Sequence, residues 1–256
     1  MGPWPPLIQK PRVEIADTRR RENITQQHLR IEIALGGEMV DALLLVPDAE
    51  PPAGKRPAVL VLFYDADTGA GLGTPSLDYA WQLAKRGFVT LSVGKPNVQI
   101  NLENPGKNRG GPYLGPVGKP IQVQPLSALA YAAANAHTVL AQRPDVLADR
   151  IGVIGHSFGG KWAMTASCLY DKFACAVWSD PGIVFDERDR RKQNPSGSVN
   201  YFDVWYLGSE LGTVADPKNA GPFRTLPSEG QARTGAYKAL VEGGHDLVEL
   251  HALMAP

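Results

Sequence analysis

Two rhythms of apolar residues run along this chain, and the switches between them mark its elements. Ala58-Val-Leu-Val-Leu-Phe63 is a continuous apolar run, as a central strand covered on both faces requires. Residues 88–93 and 174–178 are read as further strands, and Ile151, Val153 and Ile154 supply β-branched residues for another. Between these stretches the period lengthens. Leu126, Leu129, Ala133, Ala136 and Leu140 recur at helical spacing behind Pro125, which opens the helix. A second helix is predicted over 77–86, opened by Thr74 and Pro75 and stopped by Gly87. Upstream, residues 27–35 and 39–46 flank Gly36-Gly37 and read as an antiparallel hairpin. Residues 1–22, rich in Pro and Arg, are expected to form an extended arm.

The alternation of strand and helix after residue 58 predicts an α/β fold: a mostly parallel sheet with helices on both faces and the hairpin at its N-terminal side. A chain of 256 residues suits one such domain, taken here as 23–256 with 181–244 as an insertion or lid. In these sheets the ligand crevice lies beyond the carboxyl ends of the strands. Residues 64–74, residues 94–124 and everything after Ser179 project there. A connection of about 30 residues, such as 94–124, is unusual in a compact domain unless it is functional.

One strand–helix junction carries chemistry. Gly155-His156-Ser157-Phe158-Gly159 matches G-x-S-x-G and sits between the Ile151–Ile154 strand and the small-residue run Gly160-Lys-Trp-Ala-Met-Thr-Ala-Ser167. A serine at the tip of such a turn has a strained backbone, and side chains two residues away on either side would collide with it. The turn aims the Ser157 hydroxyl into the crevice as a candidate nucleophile. The Phe158 N–H then points to where an oxyanion would form, and a second N–H is expected from Tyr64 or Asp65 after the third strand. His156 fills the free position of the motif and reads as packing.

A serine hydroxyl needs a histidine to take its proton and a carboxylate to orient that histidine. Downstream of Ser157 stand two histidines, His245 and His251. Asp246-Leu-Val-Glu249 reads as a capping box, and His251 shares the apolar face of the helix it starts with Leu247, Leu250 and Met254. That makes His251 structural. His245, just after Gly243-Gly244, is the candidate base. Asp180 follows the last predicted strand as the candidate acid, or else shapes the turn with Pro181 and Gly182. The strands that should carry acid and base do not appear after Trp178. The chain therefore reads as truncated at its C-terminal side, with 174–178 as an open edge and marginal solubility as the consequence.

Composition removes other classes. Equal numbers of basic and acidic residues, 26 of each, give no steering towards nucleic acid or anionic lipid. The mixed cluster Asp186-Glu-Arg-Asp-Arg-Arg-Lys192 reads as a solvated loop. No apolar run reaches the length of a membrane span and no signal peptide is visible, so a cytoplasmic location is the default expectation. Cys168 and Cys175 are expected as small buried thiols rather than a disulfide. No metal-ligand spacing appears, and Gly69-Ala-Gly-Leu-Gly-Thr74 lacks a full nucleotide-binding pattern, so no cofactor is expected. Tyr201-Phe202 and Trp205-Tyr206 repeat at helical spacing, either as an aromatic wall for a sugar or aryl group or as a small core.

With these residues in hand, the chain resembles the bacterial esterase branch of the α/β-hydrolases that includes glucuronoyl esterases and dienelactone-hydrolase-like proteins. The likeness covers most of 30–256 and rests on Phe63-Tyr-Asp65, on Arg150-Ile-Gly-Val-Ile-Gly-His-Ser-Phe-Gly-Gly-Lys161 and on His251-Ala-Leu-Met-Ala-Pro256. Glucuronoyl esterases carry Ser-Arg-x-Gly-Lys at this turn. Here Ser157 and Lys161 align, while Phe158 replaces the arginine that in the family helps hold the oxyanion. The resemblance makes Lys161 a candidate substrate contact, against the alternative of a helix residue facing solvent. It implies a serine carboxylic-ester hydrolase forming an acyl-enzyme on small or carbohydrate-linked esters. The alternative is a catalytically silent fragment or binding domain that keeps the turn but cannot activate it.

Overall fold

The computed structural model describes residues 2–51, 54–73, 75–107, 109–120, 122–185, 200–212 and 233–254. Seven strands form one mixed sheet: β1 (Val13–Arg21), β2 (Ile24–Glu32), β3 (Met39–Pro47), β4 (Arg56–Leu62), β5 (Val89–Val93), β6 (Val146–His156) and β7 (Cys175–Ser179), in the order β1-β2-β3-β5-β4-β6-β7. The first three strands are antiparallel, as is the β3–β5 pair, while β5, β4, β6 and β7 run parallel. The expected hairpin is β2–β3, joined through Gly36 and Gly37, both at positive φ.

Side chains alternate across the sheet with period two, which divides the core into two layers. From β3 and β4, Ala42, Leu44, Ala58, Leu60 and Leu62 face one layer, with helices α3 (Pro125–Ala141) and α4 (Phe158–Leu169) over it. Leu43, Leu45 and Val61 face the other, against α1 (Ala66–Gly69) and α2 (Tyr79–Ala84). β5 places hydroxyls in that second layer, and each finds an acceptor. Thr90 Oγ1 donates to the Ala80 carbonyl at 3.0 Å and Ser92 Oγ to the Ala66 carbonyl at 2.8 Å. Burial of these hydroxyls is thereby compensated.

The expected arm over 1–22 is two things. Residues 2–12 lie along α3, where the Trp4 indole N–H donates to Ser127 Oγ, the Tyr131 hydroxyl donates to the Pro6 carbonyl, and the Ile8 N–H donates to Asn135 Oδ1. Asn135 also donates to the Ile33 carbonyl at 3.0 Å, fixing the arm, the helix and the end of β2 to one another. With the arm on one side and the sheet on the other, α3 is buried around nearly its whole circumference rather than on one stripe. Residues 13–21 form β1. This edge strand shows no apolar period because most of its side chains are exposed. It is held by backbone pairing to β2 and by ion pairs such as Arg20 with Asp48 at 2.9 Å.

Other expectations shift for local reasons. The helix expected over 77–86 is shorter, Tyr79–Ala84, and Thr74 lies outside the described residues. Tyr201, Phe202, Trp205 and Tyr206 lie in successive turns, not on a helix face, and Tyr201 and Tyr206 are buried in the main core. Of the stretch expected as an insertion, 186–199 and 213–232 lie outside the described residues, and so does the charge cluster 186–192. The remainder packs with the domain: Tyr237, in α5 (Gly235–Glu242), and Leu247, in α6 (Leu247–His251), belong to the main core. Cys168 is buried, its thiol pushed up to about 11 by desolvation, but Cys175 is exposed because β7 lies at the sheet edge. No helix among the described residues is long and apolar enough to cross a membrane.

Among the described residues β7 pairs on one side only, with β6. Val177 is 52% exposed in the middle of that strand, an apolar side chain on an open row of backbone donors and acceptors. Val177→Lys should leave urea-unfolding stability within about 0.5 kcal/mol of the parent while lowering self-association in sedimentation velocity. Equal self-association of both proteins would clear this edge of responsibility.

Candidate active site

Parallel pairing sets the site. β6 sits between β4 and β7, and its register brings Gly155 level with Leu62 on one side and Trp178 on the other. Ser157 follows immediately, with φ 54° and ψ −109°, a conformation that few non-glycine residues adopt. Two backbone contacts enforce it. A Cβ on Gly155 would overlap the Gly159 carbonyl, and one on Gly159 would overlap the Leu62 carbonyl. The Ser157 N–H donates to the Ser179 carbonyl at 2.8 Å, and its own carbonyl accepts from the Lys161 N–H at 3.0 Å, so the turn is tied to β7 and to α4. The Phe158 N–H opens α4 and has no partner inside the helix, as is true of every first-turn amide.

Tyr64 is the second residue beyond β4. Its ring stacks on Phe158, with centroids 4.6 Å apart and planes 19° from parallel. Trp205 meets both rings edge-on, at 6.2 Å from Tyr64 and 6.0 Å from Phe158. Asp65 caps α1, its Oδ1 accepting from the Thr68 N–H at 2.8 Å. Lys161 is 1% exposed, which removes the solvent-facing alternative. Its Nζ lies 5.2 Å from the Tyr201 ring and 5.4 Å from the Tyr206 ring.

The sequence reading passed over Lys95, two residues beyond β5. It is fully buried against Trp205, Tyr64 and Phe158, and desolvation brings its ammonium down to about 7, with the Asp65 charge opposing the shift. The only hint available was position: Gly94-Lys95-Pro96 begins the long loop at the carboxyl end of a central strand. That loop also forms one wall of a groove of about 560 Å³, lined by Trp4, Leu35, Leu114, Pro116, Lys119 and Val123.

The remaining candidates are not gathered at the serine. Asp180 is exposed, with φ 54°, and among the described residues it makes no hydrogen bond or ion pair. His245 Nδ1 lies 2.7 Å from Glu249 Oε2 in an exposed pair, and Asp246 caps α6 through the Leu247 N–H. Glu249 therefore meets the histidine instead of closing a capping box. His251 packs its ring on Trp178 at 5.1 Å, with Nε2 3.0 Å from the Met164 sulfur, and burial lowers its pKa. His156 pairs with the Ser179 hydroxyl at 2.9 Å. His137 is buried between Tyr170 and Phe173 and brought down to about 4 by desolvation, and His28 lies 3.7 Å from Asp41. None of the chain's 5 histidines hydrogen-bonds to Ser157.

Two outcomes are expected from this geometry. Gly159→Ala must move either the serine turn or the end of β4, and should cost about 3 kcal/mol or more in urea unfolding. For Lys95, the unfolded chain holds its proton up to 10.5 and the folded chain only up to about 7. The unfolded state therefore binds more protons between those values, and this lysine's contribution to stability rises as pH climbs from about 7 towards 10.5. Unfolding free energies measured across that window should rise less steeply in Lys95→Met.

No family model matches the chain, and no curated protein does. Solved structures do. A glucuronoyl esterase from Solibacter usitatus is similar at 19% identity and a TM-score of 0.60, over 100% of this chain and 68% of that one. A promiscuous CE15 esterase from a marine bacterial metagenome is similar at 15% identity and 0.57, over 100% and 67%. A CE15 glucuronoyl esterase from Teredinibacter turnerae follows at 19% and 0.51, over 96% and 58%. The chain thus spans about two thirds of the length of these proteins or less. At such identities the likeness is one of architecture: the chain shares the α/β fold of these solved esterases.

Proposed function

We propose that this chain is the nucleophile-bearing part of a serine carboxylic-ester hydrolase acting on small or carbohydrate-linked esters. The observation that carries the reading is the backbone of Ser157, held at positive φ between a parallel strand and the first turn of α4. Ser157 Oγ would attack the ester carbonyl and give its proton to a base. The oxyanion would accept hydrogen bonds from the Phe158 N–H and the Tyr64 N–H. Collapse would release the alcohol, with the base returning the proton, and water would then hydrolyse the acyl-enzyme by the same steps in reverse order. Within this chain His245 is the candidate base and Asp180 the candidate acid. For the pair to act, His245 would have to exchange Glu249 for the serine. Lys161 is the candidate substrate contact, and no cofactor enters the scheme. The esters named by the similar structures, glucuronoyl above all, set the first substrates to try.

One observation favours a second reading, a catalytically silent domain: all five histidines are engaged elsewhere. A fluorophosphonate probe separates the two. Labelling of the wild-type chain at Ser157, lost in Ser157→Ala, with p-nitrophenyl acetate hydrolysis falling by several orders of magnitude in that variant, is the expected result for the esterase. An equal loss in His245→Ala identifies the base. A serine that labels no faster than free serine supports the silent domain.

A further inference from the structure

Lysine is almost never fully buried without a partner for its charge, yet Lys95 is 0% exposed. Its own N–H donates to the Tyr64 carbonyl at 3.1 Å, which ties the start of the long loop to the second residue beyond β4. Its Nζ donates to the Gly111 carbonyl, across a span of sixteen residues of the same loop. The ammonium also lies 4.2 Å from the centroid of the Trp205 ring and 5.6 Å from those of Tyr64 and Phe158. Attraction between a cation and ring faces is strongest where water is excluded, as it is here. One charge therefore touches segment 94–112, segment 200–212 and the side chains of both residues whose amides stand at the serine turn.

We propose that Lys95 is a positioning residue of the crevice: its buried amino group ties the 94–112 loop and the Trp205 segment to the stacked Tyr64–Phe158 pair, holding the two candidate oxyanion donors in register. The proposal rests on the reading of those amides given above. Removing the amino group releases Gly111 and changes three ring contacts together. Small displacements of such donors matter, because misplacement by about 1 Å can cost about a hundredfold in rate. Other charges face the clamp. Asp65 approaches from the cap of α1 and favours the ammonium, and Arg109 lies 5.2 Å from the Tyr64 ring. Lys161 stands one ring further away, against Tyr206, which meets Phe158 at 6.0 Å. Desolvation outweighs the help from Asp65 and brings the ammonium to about 7, so the clamp is charged in mild acid and largely neutral in mild base.

Lys95→Met keeps a long side chain and removes the charge and the donor. In the full chain it should lower kcat/KM for p-nitrophenyl acetate by about tenfold to a hundredfold, mainly through kcat. It should also speed amide hydrogen exchange in 94–112 and 200–212 while β4, β5 and β6 keep their protection. In the wild-type chain the same two segments should tighten between about pH 6 and about pH 8.5, after correction for intrinsic exchange, because opening them returns Lys95 to water and to its ordinary proton affinity, and in the variant they should not respond. A lysine exposed only by global unfolding would not give that pH response. Unchanged exchange of both segments in Lys95→Met overturns the proposal whatever the rate does. A wild-type chain that hydrolyses no ester overturns the esterase reading alone, and exchange still decides the clamp. Should the variant fail to fold, absence of the pH response in the wild-type chain overturns the proposal.

Discussion

Backbone meets backbone at the carboxyl ends of β4, β6 and β7, and the rest of the molecule is arranged around that contact. Gly155 and Gly159 leave no room for a Cβ between the serine turn, the first turn of α4 and the end of β4. The Ser157 N–H reaches across to the Ser179 carbonyl of the neighbouring strand. Contacts this close are possible only if the three strands are parallel, in register and rigidly supported from both sides. The two-layer core supplies that support, with β3 and β4 apolar on both faces. The strain in Ser157 is local, but the structure that maintains it is the whole sheet.

Around the turn the chain replaces polar complexity with aromatic area. Tyr64, Phe158, Trp205 and Tyr206 form a continuous set of ring contacts, and the two buried lysines, Lys95 and Lys161, lodge against their edges and faces. Phe158 stands where similar esterases have an arginine, by the resemblance drawn from the sequence. Among the described residues a positive charge lies 5.6 Å from its ring centroid, supplied from a different strand end by Lys95.

How much of this was legible beforehand depended on how local its cause was. The serine turn was readable because one of its glycines, Gly155, answers to a neighbour four residues away, although Gly159 answers to the end of β4. Strand β4 was readable because burial on both faces leaves an unbroken apolar run, and β5 because Val89, Leu91 and Val93 alternate with the small hydroxyl residues Thr90 and Ser92. β1 escaped because its stability lies in backbone pairing and exposed charges, which leave no period in the sequence. The burial of α3 on its outer side escaped for a different reason: the segment that covers it lies 123 to 127 residues earlier in the sequence. Tyr201 to Tyr206 mimicked a helical spacing but lie in turns. Lys95 read as an ordinary polar position, since nothing in a sequence says that a lysine will be enclosed by rings supplied from three other segments.

The N-terminal arm adds a constraint on the order in which this fold can be made. Trp4, Pro6 and Ile8 find their partners 123, 125 and 127 residues later along the chain. On a ribosome adding roughly 5–20 residues per second, the arm waits on the order of ten seconds before α3 has even been synthesised. The β1–β2–β3 meander needs only neighbouring sequence and can pair during that interval, while Trp4 and the three prolines beside it stay uncovered. An arm made well before α3 is therefore among the last segments to dock, and it closes the outer side of α3 only once the helix it covers is in place.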